Sequence, residues 1–245
     1  MKKAIVYSSN IMLTILIWIV FAAYKDNAIV LPMPTVVFGS VVELLSDAET
    51  HFIIGMTLYR LFISLAIAGI LGIFLGIIGG IYKCVSTFMK PIVTVLRTLP
   101  VVSIILIVLI WTGYEKAPYI ISFLMIFPVV YQAVFEGIIS IDKKFIEVLK
   151  LEHDGINFTI IKELYLPLIT PFLKTALLQS IGLGIKVIVM SEFIAQTKDS
   201  IGYMIYLERQ NLQFDLVYAW TIILIVIVLV IEYMVVKSRN LNGNS

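Results

Sequence analysis

With 245 residues, 60% of them hydrophobic, and a mean hydropathy of +1.04, the chain is too apolar for a soluble domain and reads as an integral membrane protein. A formal net charge of +2 leaves no cluster of Lys and Arg able to neutralise phosphates, so nucleic acid is excluded as a partner. The single cysteine, Cys84, excludes an internal disulfide and any multi-cysteine metal site, and the redox compartment is not readable from it.

In chain order, the first apolar run follows Lys2 and Lys3 and covers residues 4–24. A cleaved leader with a weak site at Val20 and Ala22 competes with a retained span. The run approaches the roughly 20 residues needed to cross a bilayer, which favours the span. Further runs cover 61–82, 92–112, 118–139, 168–194 and 216–236, giving six expected transmembrane helices. Backbone groups in lipid must be satisfied within each segment, so these are helices rather than strands of a barrel. Arg97 and Pro100 interrupt the third, where proline removes a backbone donor and kinks the helix.

Orientation follows from the basic residues. With a cytoplasmic N-terminus the inner segments hold Lys2, Lys3, Lys83, Lys90, Lys143, Lys144, Lys150, Lys162, Lys237 and Arg239, whereas the outer segments hold only Lys25, Arg60, Lys116, Lys198 and Arg209. The positive-inside bias puts both termini in the cytoplasm.

A charged, turn-bearing stretch, EVLKLEHDGINFTIIKELYLPLITP, occupies residues 147–171 between the fourth and fifth spans. Lys143, Glu147, Lys150 and Asp154 fall on one helical face and Phe145, Val148 and Leu149 on another. Asp154-Gly155 is a turn dipeptide, Ile156, Ile160, Ile161 and Leu164 recur at helical spacing, and Pro167 suits the first turn of the next helix. From these residues alone an ordinary solvated loop on lipid headgroups and a specific docking element stand equal.

The stretch resembles the cytoplasmic signature loop of binding-protein-dependent ABC importer permeases, in which a Glu-Ala-Ala-like triplet precedes a glycine and an Ile-x-Leu-Pro-like ending. Glu147-Val148-Leu149 is similar to the triplet, Gly155 to the glycine, and Leu164-Tyr165-Leu166-Pro167 to the ending. Four more segments extend the resemblance towards the nitrate, sulfonate and taurine branch: LPMPTVV from Leu31, Leu58 with Arg60 before a glycine-rich helix, Pro91, Arg97, Pro100, Trp111 and Gly113 in order, and Glu192 with Gly202 after the fifth span.

The resemblance implies an all-α fold of the type I ABC importer class, with a coupling helix between spans 4 and 5. It divides the chain into an N-terminal span and extracellular segment, 1–60, and a permease core, 61–245, with the coupling loop at about 141–167. The coupling contacts would be Glu147, Val148, Leu149, Asp154, Gly155, Leu164, Leu166 and Pro167. The implied partners are a cytoplasmic ABC ATPase dimer carrying ATP and Mg, an extracellular or periplasmic substrate-binding protein, and a second permease copy, in a bacterial inner membrane. The chain would be a non-catalytic subunit binding no cofactor itself; it holds no G-x-x-x-x-G-K-[ST] phosphate loop. Its cargo would be a small anion of the nitrate, sulfonate or taurine kind, or a thiamine-pyrimidine-like solute.

Charged residues inside spans cost about 2.5–3.5 kcal/mol on insertion scales and so face a cavity or a partner. Thr175, Gln179, Gly182 and Lys186 fall on one stripe of the fifth span, which is expected to line the substrate pathway together with Arg97. Lys186 alternatively pairs with a buried acid or reaches the interface, and Arg97 alternatively serves a structural ion pair or cytoplasm-facing cap. Glu136 and Glu192 are expected at interfaces, where either could meet Arg97 or Lys186. Gly72 and Gly76 form a G-x-x-x-G pair suited to close helix packing. His51 and His153 lie on opposite sides of the expected membrane and share no metal site. The competing functional class is an ion- or proton-coupled secondary transporter, which would show inverted repeats; the two halves have no convincing self-similarity.

Overall fold

Long apolar runs with few helix breakers fold into long helices, and the chain ends each one where the sequence supplies a reason. The computed structural model describes residues 2–25, 27, 29–141 and 165–241. Its helices are α1 (Lys2–Lys25), α2 (Pro34–Ser46), α3 (Ala48–Ile81), α4 (Lys83–Thr98), α5 (Val101–Ile139), α6 (Leu166–Ala195), α7 (Ile201–Gln210) and α8 (Phe214–Leu241). Among the described residues, four helical stretches are long and apolar enough to cross a membrane: Ala48–Ile81, Val101–Ile139, Leu166–Ala195 and Phe214–Val235. Two shorter apolar helices, Met12–Lys25 and Pro34–Ser46, accompany them.

The segment 92–112, expected as one crossing, is divided. Helix α4 ends at Thr98, and Leu99 is extended at φ −66°, ψ 134°. A residue before proline is pushed out of the helical region, and Pro100 supplies that constraint. Helix α5 then starts at Val101 and breaks at Gly113, whose φ of 75° and ψ of 171° suit glycine. The chain reverses there. Ile104 and Ile105 before the break cluster with Ala117, Ile121 and Met125 after it, and Val187 of α6 packs into the same cluster.

Helices α3, α5 and α6 form the core, through Leu61, Ala68 and Ile77, then Ile126, Val130 and Val134, then Ile181, Ile185 and Ile188. Small residues set how closely they approach. A Cβ on Gly76 would lie 2.7 Å from the Cβ of Val134, and one on Gly80 would lie 2.5 Å from that of Ile138. The G-x-x-x-G face of α3 is thus consumed by α5 of the same chain. The N-terminal half of α3, the Gly113 reversal, the α6–α7 connection and the start of α8 gather at one end of the bundle. The start of α4, the end of α5 and the start of α6 gather at the other.

Candidate functional site

Two polar features interrupt the apolar bundle: a buried lock at one end and an open front along its length. The lock starts from Glu192 in the last turn of α6. Arg60 of α3 donates from Nη1 to Glu192 Oε1 at 3.2 Å and to the Asp199 carbonyl at 2.9 Å, and from Nη2 to the Lys198 carbonyl at 3.1 Å. Thr57 Oγ1 donates to Glu192 Oε2 at 3.1 Å and accepts from the Ile201 N–H at 3.0 Å. The Gly202 N–H completes the set on Glu192 Oε2 at 3.4 Å. Glu192 was expected at an interface, where it could meet Arg97 or Lys186; it is instead fully buried and meets Arg60, which the sequence placed in an outer segment and the structure places inside α3. A side chain at position 202 would run into the Val189 carbonyl and Glu192 Cβ, both at 2.5 Å, so glycine lets α7 start against α6. The lock fixes the α6–α7 connection, where Gln196 and Asp199 hold positive φ values of 54° and 52°.

The open front is built from four helices. Helix α4 has three distinct faces. Met89 and Val93 are buried against the core, with Val85 and Leu96 partly buried beside them. Phe88, Ile92 and Val95 form an exposed apolar face. Lys83, Thr87, Lys90, Thr94 and Arg97 form an exposed polar face, spaced by four, three, four and three residues. The polar face looks into a cleft of about 660 Å³ closed on the other side by Tyr131, Gln132 and Phe135 of α5. The hydroxyls of Thr87 and Thr94 donate to the carbonyls of Lys83 and Lys90, both at 2.8 Å, and among the described residues the cations of this face have no ion-pair partner.

Helices α5 and α6 continue the front. On α5, Val130 and Val134 pack on the α3 glycines, whereas Gln132 and Glu136 lie about 200° around the helix from those residues. Gln132 Nε2 donates to Glu136 Oε1 at 2.8 Å. On α6, Gly184 packs on Leu61 of α3, and Gly182 lies about 200° away. Thr175, Gln179 and Lys186 share the Gly182 face and are exposed. The polar groups of both helices therefore turn away from α3.

Of the five expected pathway residues, Arg97 and Lys186 line two separate depressions, and Thr175, Gln179 and Gly182 line neither. Arg97 lines the α4–α5 cleft. Lys186 lines a groove of about 510 Å³ between α6 and α8, walled by apolar residues such as Met190, Leu224 and Val228. Glu232 of α8 points towards Gly182, with Oε1 3.6 Å from where a Cβ would stand. Lys83, Lys90, Gln132 and Glu232 were not read as site residues, although the seven-residue recurrence of Lys83, Lys90 and Arg97 was available in the sequence. Of the expected coupling residues, Leu166 and Pro167 open α6 and are exposed. Glu147, Val148, Leu149, Asp154, Gly155 and Leu164 lie outside the described residues.

Comparison with known proteins fits this architecture. A solved structure described as inward-facing conformations of the MetNI methionine ABC transporter, CY5 native crystal form, superposes with a TM-score of 0.53 at 18% identity. That match covers 84% of this chain and 95% of the other, and it establishes the type I importer fold. SsuC of Bacillus subtilis (strain 168), a permease whose name assigns it to aliphatic sulfonates transport, is 28% identical over 87% of this chain and 80% of its own length. The taurine transport system permease protein TauC of Escherichia coli (strain K12) is 24% identical over 88% of this chain and 80% of its own. The family pattern of the binding-protein-dependent transport system inner membrane component matches residues 68–237. The chain therefore belongs to the family of inner membrane components of binding-protein-dependent transport systems, the permeases of ABC importers.

Proposed function

We propose that this permease passes a small anionic solute of the sulfonate or taurine kind, delivered by an extracellular binding protein and driven by cytoplasmic ATPases. The observation that carries the reading is the polar front. Helices long and apolar enough to span a bilayer carry Gln132, Lys186 and Glu232, and Arg97 of the shorter α4 faces one of them across the cleft. Such groups are costly against lipid and belong on a water-filled path or a protein partner. One copy presents only one wall. A second copy facing the first about a two-fold axis would enclose the path, as closed symmetric assemblies do.

In this reading the chain crosses the membrane six times. Helix α1 makes the first crossing, α4 with the first part of α5 makes one broken crossing, and the rest of α5 makes the next. The charge distribution puts both termini, Lys83 and Lys90 on the cytoplasmic side and the Arg60–Glu192 lock on the outer side. Segment 141–167 then lies in the cytoplasm, where Glu147, Val148, Leu149, Asp154, Gly155, Leu164, Leu166 and Pro167 would enter a groove on the ATPase. Closure of the ATPases on ATP and Mg would shift the permease between inward-open and outward-open arrangements. The names of the sulfonate and taurine relatives, with three cations along the α4 cleft, support an anionic cargo.

Co-purification tests the reading. An ATPase subunit is expected to accompany the permease from mild detergent, and ATP hydrolysis is expected to rise when the cognate binding protein and its solute are added. A permease that purifies alone and leaves hydrolysis unchanged contradicts it.

A further inference from the structure

We propose that the α4–α5 cleft is a binding site for the oxoanion group of the solute on its way into the cytoplasm, held by Lys90 and Arg97 with Lys83 at the mouth. The inference rests on the permease reading and goes beyond it by assigning a ligand group to named side chains. Three observations converge on it.

The first is spacing. Lys83, Lys90 and Arg97 recur every seven residues on one face of α4, so successive cations stand about 10 Å apart along the helix axis. The second is the absence of compensation. The Arg60–Glu192 pair is the only ion pair among the described residues, and none of the three α4 cations has a carboxylate within salt-bridge distance there. Glu136, at the edge of the front, already accepts from Gln132. The third is that the cations face a real volume. The cleft of about 660 Å³ exceeds what a sulfonate with a short carbon chain needs, and Thr94, Gln132 and Tyr131 give it polar walls between the cations.

Headgroup phosphates of the membrane carry similar chemistry, and the helix itself argues against them. Its membrane-facing candidate is the separate apolar face of Phe88, Ile92 and Val95, whereas the cations turn towards α5. Arg97 also lies about 21 Å along the helix from Lys83, too deep in a hydrocarbon core of about 30 Å for a headgroup of the same leaflet.

The test uses the complex of permease and ATPase in nanodiscs, in a Cys84→Ser background carrying Thr94→Cys inside the cleft. Methanesulfonate is the anionic probe, and dimethyl sulfone is its uncharged counterpart. Methanesulfonate is expected to slow modification of the cysteine by a neutral maleimide, and dimethyl sulfone is expected to have no effect. Lys90→Gln and Arg97→Gln are each expected to raise the protecting concentration about tenfold, the loss of one charge-assisted contact. Lys116→Gln, outside the cleft, should not change it. Equal protection by both probes, no protection, or protection that follows phosphatidylglycerol content instead of methanesulfonate would overturn the inference. ATPase retention and binding-protein-stimulated hydrolysis are measured on the same sample. If they hold while protection fails, only the anion site is lost; if they fail, the permease reading fails with it.

Discussion

Arg60 Nη1 and Glu192 Oε1 stand 3.2 Å apart between side chains of which 7% and 0% are exposed, joining α3 to the end of α6 across 132 positions of sequence. Removing one partner of a buried pair strands a charge and costs about 3–5 kcal/mol, more than the pair contributes over an apolar replacement. Arg60→Met is expected to lower the melting temperature in detergent sharply, and Arg60→Met with Glu192→Leu to recover much of the loss. Thermal unfolding followed by tryptophan fluorescence checks both. A single variant as stable as the parent would show that the lock is ornamental.

Glu208 on α7 gives a pH-dependent counterpart outside the spans. Burial, and secondarily the charge of Asp215, push its carboxyl above the ordinary range, and its Oε2 has no hydrogen-bond partner among the described residues. An acid whose folded pKa is raised binds its proton more tightly when folded. Between the ordinary carboxyl value and the raised one, the folded chain therefore holds more protons than the unfolded chain, and stability falls as pH rises through that window. Glu208→Gln is expected to be more stable than the parent above the window and to flatten this part of the stability profile. A Glu208→Gln melting curve with the parent's pH dependence would contradict the assignment.

The α3–α5 seam separates two glycines of one helix. Gly76→Ala drives a methyl into Val134 and is expected to destabilise by about 1–3 kcal/mol through overpacking. A Cβ at Gly69 would meet nothing within 4 Å, so Gly69→Ala is expected to be neutral or slightly stabilising, as alanine is the better helix former. Comparative melting of the two variants in the same detergent separates a packing contact from a general dislike of substitution in α3.

Lys186 distinguishes a pathway from a packing role. If it offers charge to a passing anion, Lys186→Ala is expected to cut the uptake rate about tenfold, the worth of one charge-assisted contact, with folding and ATPase binding intact. Lys186→Arg should retain most of the rate. Unchanged uptake by Lys186→Ala in proteoliposomes would remove Lys186 from the path.

How far the sequence carries these features depends on the range of the interaction that makes them. Apolar runs and local breakers act within a few residues, so four long apolar helices and the interruption at Pro100 were legible, whereas the division of 92–112 into two helices and the positive φ at Gly113 were not read. The stripe of Thr175, Gln179, Gly182 and Lys186 was legible because helical spacing puts it on one face, and that face is the open one. The Arg60 lock was not, because nothing local ties Arg60 to Glu192; the start of α3 at Ala48 also lies upstream of the purely apolar run. Lys83 and Lys90 were read as markers of orientation, since their common face with Arg97 matters only once α5 walls the cleft. The G-x-x-x-G pair announced close packing without naming the neighbour, which is α5.

The most direct measurement is solute uptake into proteoliposomes holding the permease and its ATPase, with the loaded binding protein outside and either ATP inside or an imposed proton or sodium gradient. The account predicts uptake with internal ATP alone, lost when residues 147–155 are replaced by a glycine-serine linker. Uptake driven by the ion gradient without ATPase or binding protein would contradict it and identify a secondary carrier.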